Sequence, residues 1–400
     1  MGNIYERLGV RTIVNAVGPA TRLSGSILPE AVAEAMREAS QFCVNLEELQ
    51  AWAGGVIAEI TGAEAGYVTS GAAAGQMLGV AACVTGLDPG KMNRLPDTEG
   101  MANEVIIPRS HRNFYDHAIR AVGVRLVEVG ISDRFTGAGV RDTEAWEIAD
   151  AITDRTAAVA YVANVRALPP LREVVAVAHA RGVPVVVDAA GQLPPASNLT
   201  RFVSEGADLV CFSGGKAVRG PQSSGILCGR RDLIAAVALQ HLDQDVFFEL
   251  WDPPRSLIDK EKLPGAPQHG IGRPCKVGKE EIVGLITALR LFVAEGDEAR
   301  KAGWETTTAA LANALGDLPH AQVRVVVNPG RPVPMVWLEV DEQAAGITGV
   351  DLVRQLIAGD PSIHVNTSNV YEGSLGFGPM CLKEGDVEVI SGRLHELLEG

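Results

Sequence analysis

Along most of the chain, hydrophobic positions fall into two alternating rhythms. Short continuous apolar runs (Glu104–Pro108, Val124–Val129, Ala157–Ala163, Val183–Asp188 and Ala207–Phe212) read as strands buried on both faces, which have no polar side to show. Between them, stretches near Thr143–Ile152, Leu171–Arg181 and Leu199–Glu205 repeat their apolar residues at helical spacing. The alternation predicts an α/β three-layer sandwich around a mostly parallel sheet. Gly225–Gly229 follows Phe212 after a short turn, so it is expected to run antiparallel.

The pattern changes at both ends. Pro29–Gln41 and Leu46–Ile60 read as amphipathic helices, the first opened by its proline and the second closed by Thr61-Gly62. They are expected to form an arm that packs on the sheet. Asp88–Asn103 reads as a polar loop, and Asp243–Ala266, with Phe247, Phe248, Trp251 and three prolines, as an irregular lid or subunit contact. After the long helix Glu280–Gly296, the order is helix Trp304–Leu315, strands Val323–Asn328 and Val333–Val340, helix Val350–Ile357, strand Ile363–Asn366 and helix Asp386–Leu398. The expected division is an N-terminal arm over residues 1–60, a large domain over 61–280, and a connecting helix with a small α+β C-terminal domain over 281–400.

In open parallel sheets, ligands collect outside the carboxyl ends of the strands, and the informative residues cluster there. The run ADLVCFSGGKAVRGPQSSGILCG (Ala207–Gly229) delivers Lys216 on a glycine-softened turn at a strand end, a poor place for packing and a good one for chemistry. The preceding strand ends in Asp188. An amine and a carboxylate at the ends of two buried strands are what pyridoxal phosphate (PLP) chemistry needs: a Schiff-base former and an anion that keeps the pyridine nitrogen protonated. Upstream, Gly66–Gly75 (GYVTSGAAAG) breaks from a strand at Ser70-Gly71 into a helix of tiny residues, exposing the first amides and the positive dipole end to a phosphate. The same Ser-Gly pair is also an ordinary helix cap. Near Arg109–His117 two histidines, two arginines and two aromatics follow a strand, and His111 or Phe114 could lie flat on a cofactor ring.

Bulk properties narrow the class. The net charge of −14, without a long basic run, suits neither nucleic acid nor an anionic membrane. Six cysteines without CxxC or zinc spacing read as free thiols in a cytoplasmic protein with no metal site. The apolar runs are shorter than the ~18 residues of a membrane span, and the N-terminus lacks an apolar signal core.

With these residues in view, the chain resembles fold type I (aspartate-aminotransferase-like) PLP enzymes, and within them the branch of bacterial selenocysteine synthase and D-glucosaminate-6-phosphate ammonia-lyase. The resemblance is carried by Val14-Asn15-Ala16, Gly62–Gly75, Leu95–Ile106, Ser110–Ile119, VDAAGQLPP (Val187–Pro195), FSGGKAVRGPQSSG (Phe212–Gly225) and His269–Glu281. It implies that Lys216 forms the internal aldimine and then moves the substrate α-proton, with Asp188 on the pyridinium nitrogen. Ser70, Ser213 and the amides of Gly71 and Ala72 would hold the cofactor phosphate, Arg219 would contact the phosphate or the substrate, His111 would stack on the ring and Gln192 would reach its hydroxyl. Arg22, from the polar turn after Val14–Ala16 that could line a site or cap the next helix, and Arg273 are the candidate substrate contacts, Arg273 reaching across a subunit boundary as shared sites of this fold type imply. The family also implies a homodimer or higher homo-oligomer with shared sites.

The expected activity is a lyase that eliminates the β-substituent of a small hydroxy- or phospho-amino acid and releases ammonia and a 2-keto acid. Racemisation, aldol cleavage and transamination use the same residues and stay open; selenium transfer on aminoacyl-tRNA fits the acidic charge poorly. Asn369–Leu382 lacks the arginine that many fold type I enzymes place on the substrate carboxylate.

Overall fold

The computed structural model describes residues 2–131, 142–328 and 330–399. The chain divides into two compact units, residues 28–292 and residues 1–27 with 293–400. These limits differ from the expected boundaries at 60 and 280. The arm helices fold with the large unit, and the first strand, Ile13–Asn15, pairs in parallel with Ser362–His364. That pairing joins residues some 350 positions apart, which local periodicity cannot report.

The larger unit is built on seven strands: β1 (Ala65–Thr69), β2 (Glu104–Pro108), β3 (Arg125–Val129), β4 (Thr156–Val162), β5 (Val185–Asp188), β6 (Leu209–Ser213) and β7 (Gly225–Gly229). They lie in the order β1-β7-β6-β5-β4-β2-β3. β7 is antiparallel to both of its neighbours; the remaining pairs are parallel. β1, β2 and β7 are buried along their whole length, whereas β3, expected to be buried on both faces, is an edge strand that buries only Val129.

Helix α1 (Leu46–Thr61) starts at Asn45, whose side chain accepts the amides of Glu47 and Glu48, and stops at Gly62 with φ +70°. It lies so close to β1 that a Cβ on Gly54 would stand 2.2 Å from the Gly66 carbonyl oxygen. Helix α2 (Ala72–Thr85) crosses the sheet face. A Cβ on Gly75 would be 3.2 Å from Cys211 Sγ, and one on Gly79 3.0 Å from Leu209 Cδ1, so glycines four apart set how near the helix comes to β6. The core between α2, β6 and helix α3 (Arg231–His241) includes Leu78, Leu209, Leu227 and Val237, with almost no exposed surface. The periodicity reading had not assigned α3. The loop expected over Asp88–Asn103 contains a short helix, Pro89–Arg94, capped by Asp88.

The smaller unit carries an antiparallel sheet in the order Asn366–Asn369, Ser374–Phe377, Arg331–Val340, Ala321–Asn328. Helices Asp297–Ala314, Gly349–Ala358 and Asp386–Glu399 surround its core of Val336, Leu338, Phe377, Leu352 and Leu394. Strand Ser374–Phe377 was not anticipated, because Gly376 within it and Gly373 and Gly378 beside it dilute the apolar pattern.

Candidate active site

Strand register, more than any single contact, brings the candidate residues to one edge. Val162 on β4 pairs with Asp188 on β5, and Asp188 pairs with Cys211 on β6. Two residues beyond Cys211, Ser213 pairs with Gly225, which pairs with Thr69 on β1. Ser70, Asp188 and the turn after Ser213 therefore leave the sheet side by side at the carboxyl ends of parallel strands.

Lys216 sits half-buried on that turn. The Gly214 N–H donates to the Ser224 carbonyl (2.9 Å), the Gly220 N–H to the Gly214 carbonyl (2.9 Å) and the Arg219 N–H to the Lys216 carbonyl (3.0 Å). A Cβ on Gly214 would lie 2.2 Å from Ser224 Oγ and 2.5 Å from Leu285 Cδ1, and one on Gly215 2.6 Å from Gln222 Cα, so the first glycine clears packed side chains and the second a close backbone. Arg219 adopts a left-handed φ of +59°, and buried Ala217 and Val218 anchor the turn from below.

Asp188 accepts the Ala190 N–H (2.9 Å). Burial pushes its carboxyl above the usual range, opposed by that amide, by the charge of Lys216 and by the side chain of Gln76 on α2. The charge of the amine is thus felt at the carboxylate.

At the start of α2, Gly71 has φ +137° and no side chain caps the helix. A Cβ placed on Gly71 would meet nothing within 4 Å, whereas one on Gly225 would stand 2.4 Å from the Gly71 carbonyl carbon. Beyond the helix start there is open room, and behind it is backbone. This uncapped cradle, with Ser70 and Ser213 beside it and a half-buried carboxylate two residues from the Ser213 row, fits a phosphate ester on a ring whose nitrogen carries a proton.

His111 follows β2 and is 3 % exposed. Its Nδ1 accepts the Val162 N–H (3.2 Å), which puts the proton of the neutral ring on Nε2, and Tyr161 meets it edge-on with ring centres 4.8 Å apart. Burial holds its pKa down to about 4, so the ring is uncharged at neutral pH. Gln192 is half-buried, its carbonyl accepting the Asn198 amide (2.6 Å).

The two candidate substrate arginines fall in different units. Arg22 is exposed in the smaller unit on the turn Thr21–Leu23, where its charge, after burial, helps hold His364 below the usual histidine range. Arg273 pairs with Asp243 (Nη2 to Oδ2 2.6 Å, Nε to Oδ2 3.0 Å) on a cavity of about 630 Å³ that Ser223, His241 and Gln50 also line and Lys216 and Asp188 do not.

Sequence reasoning overlooked Gln50 and Gln76. The Gln50 side chain binds both backbone groups of Val68 (2.9 and 3.0 Å), locking α1 to β1. For Gln76 the available signal was a lone amide inside an otherwise apolar helical stretch; Gln50, next to Glu47 and Glu48, gave none.

The sequence profile described as SelA, L-seryl-tRNA selenium transferase, matches residues 13–246. The chain is 36% identical to the 5'-C-glycyluridine monooxygenase-decarboxylase of a Streptomyces species, over 98% of this chain and 92% of that protein. It is 32% identical to the D-glucosaminate-6-phosphate ammonia lyase of Salmonella typhimurium, over 99% and 98%. A solved structure of a D-glucosaminate-6-phosphate ammonia-lyase superposes with a TM-score of 0.81 at 30% identity, covering 100% of this chain and 99% of that one. A cysteine desulfurase from Thermococcus onnurineus NA1, at 17% identity and a TM-score of 0.54, shares the fold. Profile, full-length relatives and superposition agree that the chain belongs to the selenium-transferase family of fold type I enzymes, with pyridoxal phosphate as its cofactor.

Proposed function

We propose that the chain is an ammonia-releasing lyase acting on a β-hydroxy-α-amino acid with a sugar-like side chain. The observation that carries it is the Lys216–Asp188 pair at adjacent strand ends, in a protein 32% identical along its length to an ammonia lyase. The two relatives named above act, by their names, on a glucosaminate phosphate and a glycyluridine, both amino acids that bear a polyhydroxylated side chain.

When bound, the cofactor supplies an electron sink for a carbanion at the substrate α-carbon. Asp188 holds the ring nitrogen protonated, and Ser70, Ser213 and the Gly71 and Ala72 amides hold the phosphate. His111 covers the ring as a neutral side chain, Gln192 reaches its hydroxyl, and Arg219 adds a charge to the phosphate side. Lys216 anchors the cofactor, then takes the α-proton as its free amine and returns a proton to the departing β-hydroxyl, which leaves as water. The released 2-amino-2-enoate tautomerises and takes up water, giving ammonia and a 2-keto acid. Net, the substrate loses ammonia. Arg22 and Arg273 are assigned to the substrate's anionic groups, Arg273 from a second copy of the chain in a homodimer. Free thiols at all six cysteines suit a cytoplasmic setting, and among the described residues no helix is long and apolar enough to cross a membrane.

A second reading, oxygen-dependent decarboxylation, is favoured by the 36% identity to the monooxygenase-decarboxylase. One assay separates the two: incubation with D- and L-β-hydroxy amino acids in deuterated water, following ammonia, keto acid, oxygen uptake and carbon dioxide. Ammonia with an equal amount of keto acid and no oxygen uptake supports the lyase; oxygen uptake matched by carbon dioxide overturns it. Keto acid without ammonia indicates transamination. For the cofactor assignment, the purified protein is expected to be yellow, with an absorbance that borohydride bleaches, and Lys216→Ala is expected to abolish both. A yellow, borohydride-sensitive Lys216→Ala protein would show that another amine holds the cofactor.

A further inference from the structure

Gln76 is a buried amide on α2 in a place where the helix needs none. The other buried residues of α2 are alanine, glycine, valine, leucine, methionine and Thr85, and Thr85 satisfies itself on the Ala81 carbonyl (3.0 Å). Gln76 is only 4 % exposed, although its long polar side chain could have reached solvent from another position. Its turn of the helix stands on Cys211, as the 3.2 Å approach of a Gly75 Cβ to Cys211 Sγ records, and Cys211 is the ladder partner of Asp188. Gln76 and Gly79, three apart, share the helix face that lies on the sheet. The amide therefore meets the Asp188 carboxylate, which it draws down alongside the Ala190 N–H and Lys216.

We infer that Gln76 is a positioning residue: its amide fixes the Asp188 carboxylate in the orientation that meets the cofactor ring nitrogen, so that one helix grips the cofactor at both ends. The helix start receives the phosphate and its second turn sets the carboxylate that receives the ring. This rests on the reading of Lys216 and Asp188 as the cofactor site. A carboxylate on a strand end has two oxygens and a free χ2, and Ala190 N–H occupies only one of them. Without a second donor, the carboxylate turns toward Lys216, the ionisable group on the turn after β6; Cys211, the other titratable neighbour, is a thiol that burial and the Asp188 charge hold protonated.

The test is a double-mutant cycle on the full chain with PLP as the probe. Gln76→Leu is expected to fold, melting somewhat below wild type without cofactor, and to weaken PLP binding about tenfold, the effect of one lost charge-assisted hydrogen bond. It should move the pH at which the bound cofactor changes colour in the same direction as Asp188→Asn does. In the Asp188→Asn background, Gln76→Leu should add less than about twofold, since coupled residues are not additive. Losses that multiply in the double variant, or unchanged PLP affinity in Gln76→Leu, overturn the inference. If Gln76→Leu does not fold, Gln76→Met repeats the cycle; failure of both to fold makes Gln76 a packing residue and also overturns it. A wild-type protein that binds PLP no better than Asp188→Asn sinks the site itself, an outcome distinct from a normal Asp188→Asn defect with a silent Gln76→Leu.

Discussion

Asp188 is costly to the protein before any cofactor binds. It is half-buried at the strand end, with one amide, one amine and one neutral amide to compensate, and the desolvation of its carboxyl outweighs them. A folded-state pKa above the unfolded value means that the native protein holds the proton more tightly, so stability falls as pH rises from the unfolded carboxyl pKa, about 4, through the folded one. Cofactor-free Asp188→Asn is therefore expected to melt above the wild type at neutral pH, with the difference shrinking toward pH 4, while its PLP affinity collapses. A wild type that melts higher at pH 7 in parallel scans would show that the carboxylate is a net stabiliser. Sequence made Lys216 and Asp188 legible because a charged residue at the end of an apolar strand has no packing purpose. It concealed Gln76, whose partner is set by how helix and sheet lie together. His111 was legible as a candidate, but its neutral state and its bond to Val162 depend on strand order.

Among the elements, α2 and β7 meet through bare backbone. Gly225, the first residue of β7, lies against Gly71, and an added Cβ would fall 2.4 Å from the Gly71 carbonyl carbon and 2.8 Å from the Ala72 nitrogen. Neither atom can rotate away. Gly225→Ala is expected to push the helix start outward, destabilise the protein by about 1–3 kcal/mol and weaken PLP binding at least tenfold. Denaturant unfolding and PLP titration read the two effects; unchanged PLP affinity would show that the cradle has slack. Strands and helices of the sheet could be anticipated from periodicity because buried parallel strands are apolar throughout. The antiparallel setting of β7 was also legible, since a short connection permits nothing else. Helix α3 was not, because it is buried on all sides and has little amphipathic contrast.

At the scale of the molecule, the pairing of Ile13–Asn15 with Ser362–His364 closes the chain's first residues onto its last third, and no local signal announces it. The assignment of Arg273 to a second copy makes a quantitative prediction. If each site takes Lys216 from one chain and Arg273 from another, mixing inactive Lys216→Ala with inactive Arg273→Ala yields hybrids with one intact site, and random reassortment restores about a quarter of wild-type activity. Sedimentation identifies the dimer, and turnover of a substrate found in the panel assay reads recovery. Mixtures that stay inactive after verified subunit exchange would place both residues in one chain's own site.

Where glycine meets backbone, as at Gly54 with Gly66, Gly215 with Gln222 and Gly225 with Gly71, side-chain novelty is sterically forbidden. Room for a changed reaction in this chain therefore lies outside those junctions. Directed evolution of this chain toward a new reaction should accordingly accumulate its changes away from those three junctions.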